Sequence, residues 1–350
     1  MFVIVIHIAT TGFGAQREFP NARYLGMGYN VIRGDPDNDK DPGFTHGVIK
    51  FSWEEEGKSS DRKYRVPDLI EALQRRSCSL ERQVSTVRGS KSYQDALSVD
   101  VSVEAGYSGA VWGARFSAST SYKEVNEGTS RHRRIYTRAI AKCSEYDLNV
   151  NYQYAQVGVH GDFERAVNAL PLTEDNDKYD KFINAYGTHF TTRVTLGAKM
   201  IVRSEFEEEA WTKMKEKGVK VAVAAQLSYG LASVGVSTGV ETQNNEKEEF
   251  EKARRDKSES YVGSRPPSDG RWETWAEMAA DSPYPIAYTL VSMTSILSEK
   301  FFPNMPVNDL TTRRDLLTEA YDTYCSRLEG CESETSTCYI PYRKNCIQCI

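Results

Sequence analysis

The chain has 350 residues, 39% of them hydrophobic, enough for one large domain or two ordinary ones with a sizeable core. Its formal net charge is −5, with acidic and basic residues interspersed along most of its length. There is no basic stripe of the kind nucleic acid requires, so a nucleic-acid partner is excluded, and nothing in the composition suggests disorder.

At the N-terminus a short apolar run, residues 2–9, precedes small residues at Gly12, Gly14 and Ala15. This reads as a secretory signal peptide over residues 1–15, cleaved near Ala15. No later stretch approaches the ~18 consecutive apolar residues of a transmembrane helix. Asp35, Asp37, Asp39 and Asp41 then form an acidic loop, but Pro42 stands where an EF-hand needs Gly, and Val48 where it needs its bidentate Glu. A solvated loop without a metal is expected. Cys78 and Cys143 lie far apart, each a buried thiol or half of a bridge.

From Leu97 the pattern changes to strict alternation. Val99, Val101, Val103, Ala105 and Tyr107 face away from Ser98, Asp100, Ser102, Glu104 and Ser108. The phase slips through Gly109, after which Trp112, Ala114 and Phe116 continue opposite Gly113, Arg115 and Ser117. Period two is the mark of a strand with one apolar face, and arms of this length suit a tilted strand crossing a bilayer, which needs ~9–11 residues. Ordinary antiparallel strands with one solvated face alternate in the same way.

Further on, Tyr179, Phe182, Ile183 and Tyr186 fall at helical spacing and form one apolar face. Thr173 or Asp175 can cap the start, and Gly187 sits where a helix C-terminus favours a left-handed residue. Beyond it Phe190, Val194 and Leu196 alternate with His189, Thr191, Arg193 and Thr195 as in a half-buried strand. The segment is a helix–turn–strand corner. No other histidine lies near His189 in sequence, and its neighbours on the strand face are threonines and an arginine. A hydrogen-bonded structural histidine is expected rather than a catalytic or metal-binding one.

Residues 205–217 carry Phe206, Ala210, Trp211 and Met214 at helix-like spacing before Gly218. A second alternating run follows, with Val219, Val221, Val223, Ala225 and Leu227 opposite Lys220, Gln226 and Ser228. It too slips phase and continues through Val234, Val236 and Val240. Residues 241–257 are almost entirely polar and read as a solvated face. Trp272, Trp275 and Met278 mark a helix, and residues 311–324 a last amphipathic one. Cys325, Cys331, Cys338, Cys346 and Cys349 crowd into the final 26 residues and read as a small disulfide module. Zinc is disfavoured, because no His accompanies them and only Cys346 and Cys349 form a close pair. Seven cysteines is an odd count, which leaves one thiol free, held by another chain, or waiting for a partner missing from this sequence.

Tyr179, six residues, and then Tyr186-Gly187-Thr188-His189-Phe190 is the signature of the membrane-attack-complex/perforin (MACPF) family, which the chain resembles over about residues 20–324. Gly26-Met27-Gly28-Tyr29-Asn30, leading to Gly34-Asp35-Pro36, is similar to the opening of that domain. Residues 260–288 resemble the end of its fourth core strand, a Trp-containing helix and a Pro-led strand, with the family's Gly-Gly pair reduced to Gly263. The resemblance implies an α+β fold with a bent, twisted central antiparallel sheet, flanked by helices and by two helical clusters that convert to β-hairpins. The clusters would fall near residues 109–134 and 206–250. It further implies a MACPF domain over residues 16–324 and a shortened or divergent EGF-like tail over residues 325–350.

The function so implied is that of a secreted pore-forming protein. It would bind a target membrane, oligomerise into an arc or ring, and insert two amphipathic hairpins per subunit. Val101, Val103, Tyr107, Trp112, Phe116, Val221, Val223, Leu227, Val234 and Val236 would face lipid, and Gly187, Gly197 and Gly263 would act as backbone hinges. Its partners would be lipid and copies of itself, with targeting coming from the tail, from exposed loops, or from an accessory subunit held through the odd cysteine. The alternative is a non-lytic adhesion or binding protein that keeps the fold. No enzyme activity, cofactor or metal is expected, since the chain has no His-Glu-x-x-His, no Gly-Lys-Ser/Thr phosphate loop and no Gly-x-Ser-x-Gly elbow.

Overall fold

The computed structural model describes residues 17–328 and Cys331, apart from residues 56, 80–83, 105–108, 151, 154–156, 229–239 and 269–270. The expected signal peptide, Tyr107, Val234, Val236, Cys338, Cys346 and Cys349 lie outside the described residues.

Two long antiparallel strands form the spine. Strands β1 (Met27–Tyr29), β2 (Glu71–Ser79), β3 (Val84–Val87), β4 (Val101–Val103), β5 (Arg134–Asn149), β6 (His189–Glu207), β7 (Arg254–Val262) and β8 (Tyr284–Ser292) join one sheet. β5 pairs with β6 from Asn149↔Arg193 to Arg134↔Glu207. On the outer side of β5 lie β2 and β3. On the outer side of β6, β8 pairs with its first half and β7 with its second. β4 adds to β8 in parallel, and β1 pairs with His189 and Phe190. The register slips at Leu196/Gly197 opposite β5 and at Thr195/Leu196 opposite β8, next to the point where β6 exchanges one partner for the other. Such bulges bend a strand and increase its twist.

Because side chains alternate along a strand, the central pair has two chemically different faces. Ala139, Ala141 and Cys143 of β5 and Ala198, Met200 and Val202 of β6 make an apolar face, covered by Trp275 and Ala279 of a helix over Trp272–Asp281. Tyr136, Arg138, Ile140, Lys142, Lys199, Ile201, Arg203 and Glu205 share the other face. Trp275 is fully buried against these small alanines, and Trp275→Ala would cost about 3–5 kcal/mol.

The other helices are α1 (Ser90–Leu97), α2 (Ala110–Gly113), α3 (Thr120–His132), α4 (Gly161–Asn168), α5 (Asn176–Tyr186), α6 (Glu208–Glu216), α7 (Val221–Leu227) and α8 (Val240–Ala253); the Trp275 helix is α9, and α10 covers Val307–Arg327. The main core lies between α5, α10, α1, α3 and the sheet, with Tyr179, Phe163, Phe190, Leu290 and Tyr321 fully or nearly buried. α10 runs through residue 324 and carries Cys325, which is bridged to Cys331.

Candidate functional site

The signature residues build one corner. Asp175 caps α5 by accepting the Lys178 N–H at 3.1 Å, and Tyr179, Phe182, Ile183 and Tyr186 form its buried face. Gly187 ends the helix at φ +82°, donating its N–H to the Ile183 carbonyl at 2.8 Å. A Cβ there would stand 2.4 Å from the Tyr29 carbonyl carbon, so both the backbone angle and the contact require glycine. Thr188 Oγ1 accepts from the Val31 N–H at 3.1 Å and donates to the Tyr29 carbonyl at 3.2 Å. The Thr188 carbonyl in turn receives the Met293 N–H and the Tyr321 hydroxyl. The corner therefore ties the N-terminal strand, the start of β6, the end of β8 and α10 together.

His189 is buried, and its Nδ1 lies 2.8 Å from Thr188 Oγ1. Since that hydroxyl already donates to Tyr29, the network puts the ring proton on Nδ1. Burial lowers the His189 pKa to about 3, so the ring is neutral. Among the described residues no group of three or more His, Cys, Asp or Glu side chains could hold a metal.

Two helical clusters pack on opposite faces of the sheet. In the first, α1 and α3 lie over the charged face. Arg138 Nη1 donates to the Ala96 carbonyl at 2.8 Å, Arg203 meets Glu124 at 3.2 Å, and Gly128 leaves room for the Tyr136 hydroxyl. The second cluster, α6 to α8, packs Trp211, Met214, Val221, Ala224 and Phe250 against Ile135 and Phe206 on the opposite face.

The residues expected to meet lipid fall on both clusters. Val101 is buried and Val103 half-buried on β4; Trp112 lies on α2, and Phe116 follows it, buried. Val221, Val223 and Leu227 are on α7. Thus much of the period-two pattern is folded as helix or turn rather than as strand. Phe116 itself has φ +64°, an uncommon conformation for a bulky residue, held by its N–H bond to the Val31 carbonyl at 2.7 Å. Gly197 and Gly263, distant in sequence, are brought together where β6 changes partner. Cys78 and Cys143 are in register across β2 and β5 and form a disulfide.

The acidic loop departs from expectation. Asp35 and Asp37 are buried, not solvated, because their partners come from distant elements. Arg138 grips Asp37 through Nε at 2.6 Å and Nη2 at 2.5 Å, and Asp41 accepts the Asp35 and Gly43 N–H groups and the Tyr29 hydroxyl. Burial raises the Asp35 pKa to about 6, helped by the charges of Asp37 and Asp41. Burial acts on Asp37 in the same direction, but Arg138 and Lys199 outweigh it and hold the carboxyl below its usual range.

Sequence reasoning missed the rest of this ionic cluster. Arg138, Lys142, Lys199 and Asp100 are all buried, with Lys199 Nζ 2.9 Å and Arg138 Nη2 3.2 Å from the Asp100 carboxylate and Lys142 on its other oxygen. The available signal was the spacing. Arg138 with Lys142, and Lys199 with Arg203, stand four apart on one face of long strands.

A family model described as the MAC/Perforin domain matches residues 13–331. The chain is 24% identical over 269 residues to the perivitellin-2 67 kDa subunit of Pomacea maculata, covering 74% of this chain and 45% of that protein. It is 22% identical over 357 residues to complement component C6 of Bos taurus, covering 89% of this chain and 36% of that one. The chain therefore spans less than half the length of these curated relatives. It is also similar to the solved structure of GNIP1Aa from Chromobacterium piscinae, with a TM-score of 0.60, 14% identity, and coverage of 90% of this chain and 57% of that one. At that identity the likeness concerns the fold.

Proposed function

The chain belongs to the MAC/perforin family, and from that premise we propose that it is an extracellular, non-enzymatic pore-forming protein that assembles on a target membrane and inserts two β-hairpins per subunit. One relationship carries the reading. β3, β5, β6 and β7 lie side by side, and their ends at Val87, Arg134, Glu207 and Arg254 line up at one end of the sheet. Residues 88–133 and 208–253, segments of equal length, leave and rejoin neighbouring antiparallel strands at that end. Straightening both would extend four adjacent strands in the same direction.

The physics of a bilayer favours this use. Each arm, half of such a segment, would reach roughly 75 Å at about 3.3 Å per residue, against a hydrocarbon core about 30 Å thick. The alternation in both segments, of which only Val101–Val103 is strand among the described residues, supplies an apolar side for lipid and a polar side for water. A local pattern that conflicts with the folded state points to a second state in which it is satisfied. Four strands leave unpaired edges in hydrocarbon, so insertion requires a closed barrel built from several subunits. In this reading Val101, Val103, Tyr107, Trp112, Phe116, Val221, Val223, Leu227, Val234 and Val236 face lipid, while Gly187, Gly197 and Gly263 let the sheet adjust. Targeting falls to exposed loops, to the Cys-rich tail, or to an accessory subunit.

The test is release of an encapsulated dye from liposomes and from cells by the purified protein, with electron microscopy of the same membranes. Release with arcs or rings supports the pore. Binding without release or rings, across several lipid compositions, favours the non-lytic adhesion reading.

A further inference from the structure

Asp100 belongs to segment 88–133, yet the cations that hold it belong to the sheet. Lys142 of β5 and Lys199 of β6 stand directly opposite in register, an unfavourable pairing of like charges unless a carboxylate comes between them. Asp100 supplies it, reaching Lys199 at 2.9 Å, Arg138 at 3.2 Å, and Lys142. Burial pushes the Asp100 carboxyl up, but Lys199, Lys142 and Arg138 together outweigh it and hold it well below the usual carboxylate range. The other carboxylate of the cluster, Asp37, comes from the N-terminal loop and stays with the sheet whatever segment 88–133 does.

Resting on the reading of that segment as a stored hairpin, we propose that Asp100 is the catch that keeps the first helical cluster folded on the sheet. The segment is also held by backbone bonds, Phe116 and Ala118 donating to the Val31 and Ile32 carbonyls and Tyr288 to that of Asp100, and by the burial of Leu97, Val101, Phe116, Tyr122 and Val125, but among its described residues Asp100 is the one carboxylate buried against the cations of the sheet. β4 pairs with β8 over three register positions, and α3 is joined to Arg203 by Glu124, which is itself largely exposed. If Asp100 leaves, three buried cations face one carboxylate. That penalty is large while the face is covered, because charges left without partners in a poorly solvated site are strongly unfavourable. It becomes small once α3 has lifted and water reaches the cations. β4 therefore does not peel away alone: release of the strand and of α3 occurs together. The second segment is held differently, since among the described residues the ion pairs of residues 208–253 run within the segment and its contact with the sheet is apolar.

The test is amide hydrogen exchange of the full chain in solution, comparing wild type with Asp100→Asn and with Lys142→Met, which keeps the apolar stem. The expected result is exchange in α1, β4 and α3 faster by about tenfold or more in Asp100→Asn, and by less in Lys142→Met, with β5, β6 and α6 to α8 unchanged. Equal acceleration throughout the sheet, or unaltered exchange in residues 88–133, overturns the proposal. If Asp100→Asn does not fold, Lys142→Met decides alone on the same criteria. Dye release from phosphatidylcholine–cholesterol vesicles separates the two ideas. A lytic wild type with unaltered exchange in the variants sinks the catch and leaves the pore. Selective acceleration in the variants, with no release by any of the proteins from these or from vesicles of several other lipid compositions, leaves the catch and sinks the pore.

Discussion

Gly263 packs against Gly197: a Cβ on Gly263 would come 2.9 Å from the Gly197 carbonyl oxygen, and a Cβ on Gly197 would come 1.9 Å from that of Cys143. The two residues meet where β6 passes from β8 to β7, and Gly263 has φ +74°. Gly263→Ala is expected to lower stability by about 1–2 kcal/mol, the cost of a left-handed alanine. Gly197→Ala forces β5 and β6 apart and is expected to cost about 3 kcal/mol or more. Urea unfolding of the two variants checks the order. Equal, sub-kilocalorie effects would mean that the close approach is relaxed at little cost.

Thr188 is expected to matter through its hydroxyl. Thr188→Val keeps the shape but leaves the buried Val31 N–H and the His189 Nδ1–H without their acceptor. An unmet buried donor costs about 1–3 kcal/mol. The variant should unfold at correspondingly lower denaturant, whereas Thr188→Ser should recover most of the loss. Failure of serine to recover it would assign the effect to the methyl group.

The acid response follows from two buried groups with opposite signs. His189, depressed to about 3, binds its proton more readily unfolded, so its contribution is complete above the ordinary pKa of 6.5 and is lost as pH falls toward 3. Asp35, raised to about 6, binds its proton more readily folded, so its contribution grows as pH falls from 6 toward 3.8. Asp41, also raised by burial, acts in the same sense as Asp35. Between pH 6 and 4 the two raised carboxyls oppose the histidine and offset its loss. In Asp35→Asn the histidine is less compensated, and stability should fall more steeply over that window, with a difference in slope approaching 1.4 kcal/mol per pH unit. Unfolding midpoints at half-unit intervals give this slope directly, and a variant that tracks wild type removes Asp35 from the account.

What could be read from sequence was local. The α5 face, its Asp175 cap and the Gly187 stop depend on residues within a dozen positions of one another, so periodicity and turn chemistry find them. β5 escaped notice because both of its faces are covered, one of them by charge. Arg138 and Lys142 interrupt the apolar alternation at positions that are buried only because Asp37 and Asp100 arrive from elsewhere. The acidic loop looked solvated for the same reason, since its partner Arg138 lies 101 residues away from Asp37. Around Val221 the failure is of another kind. The alternation is present, but the chain is helical there, with Val221, Ala224 and Ala225 turned inward.

That mismatch gives the sharpest prediction. On α7, Val223 and Gln226 are both half-buried, so the stored helix alone predicts similar effects for Val223→Lys and Gln226→Lys. In an extended hairpin the two residues fall on opposite faces, Val223 toward lipid and Gln226 toward water. A lysine on the lipid face of a membrane barrel costs about 2–4 kcal/mol near the midplane, and the cost recurs in every subunit of a ring. Val223→Lys should therefore fold and bind membrane like wild type while losing dye release by at least about tenfold, and Gln226→Lys should retain it. Equal loss of release in both variants would place residues 221–227 outside the inserted strand. Equal retention would mean that the segment remains helical in whatever state the protein adopts on lipid.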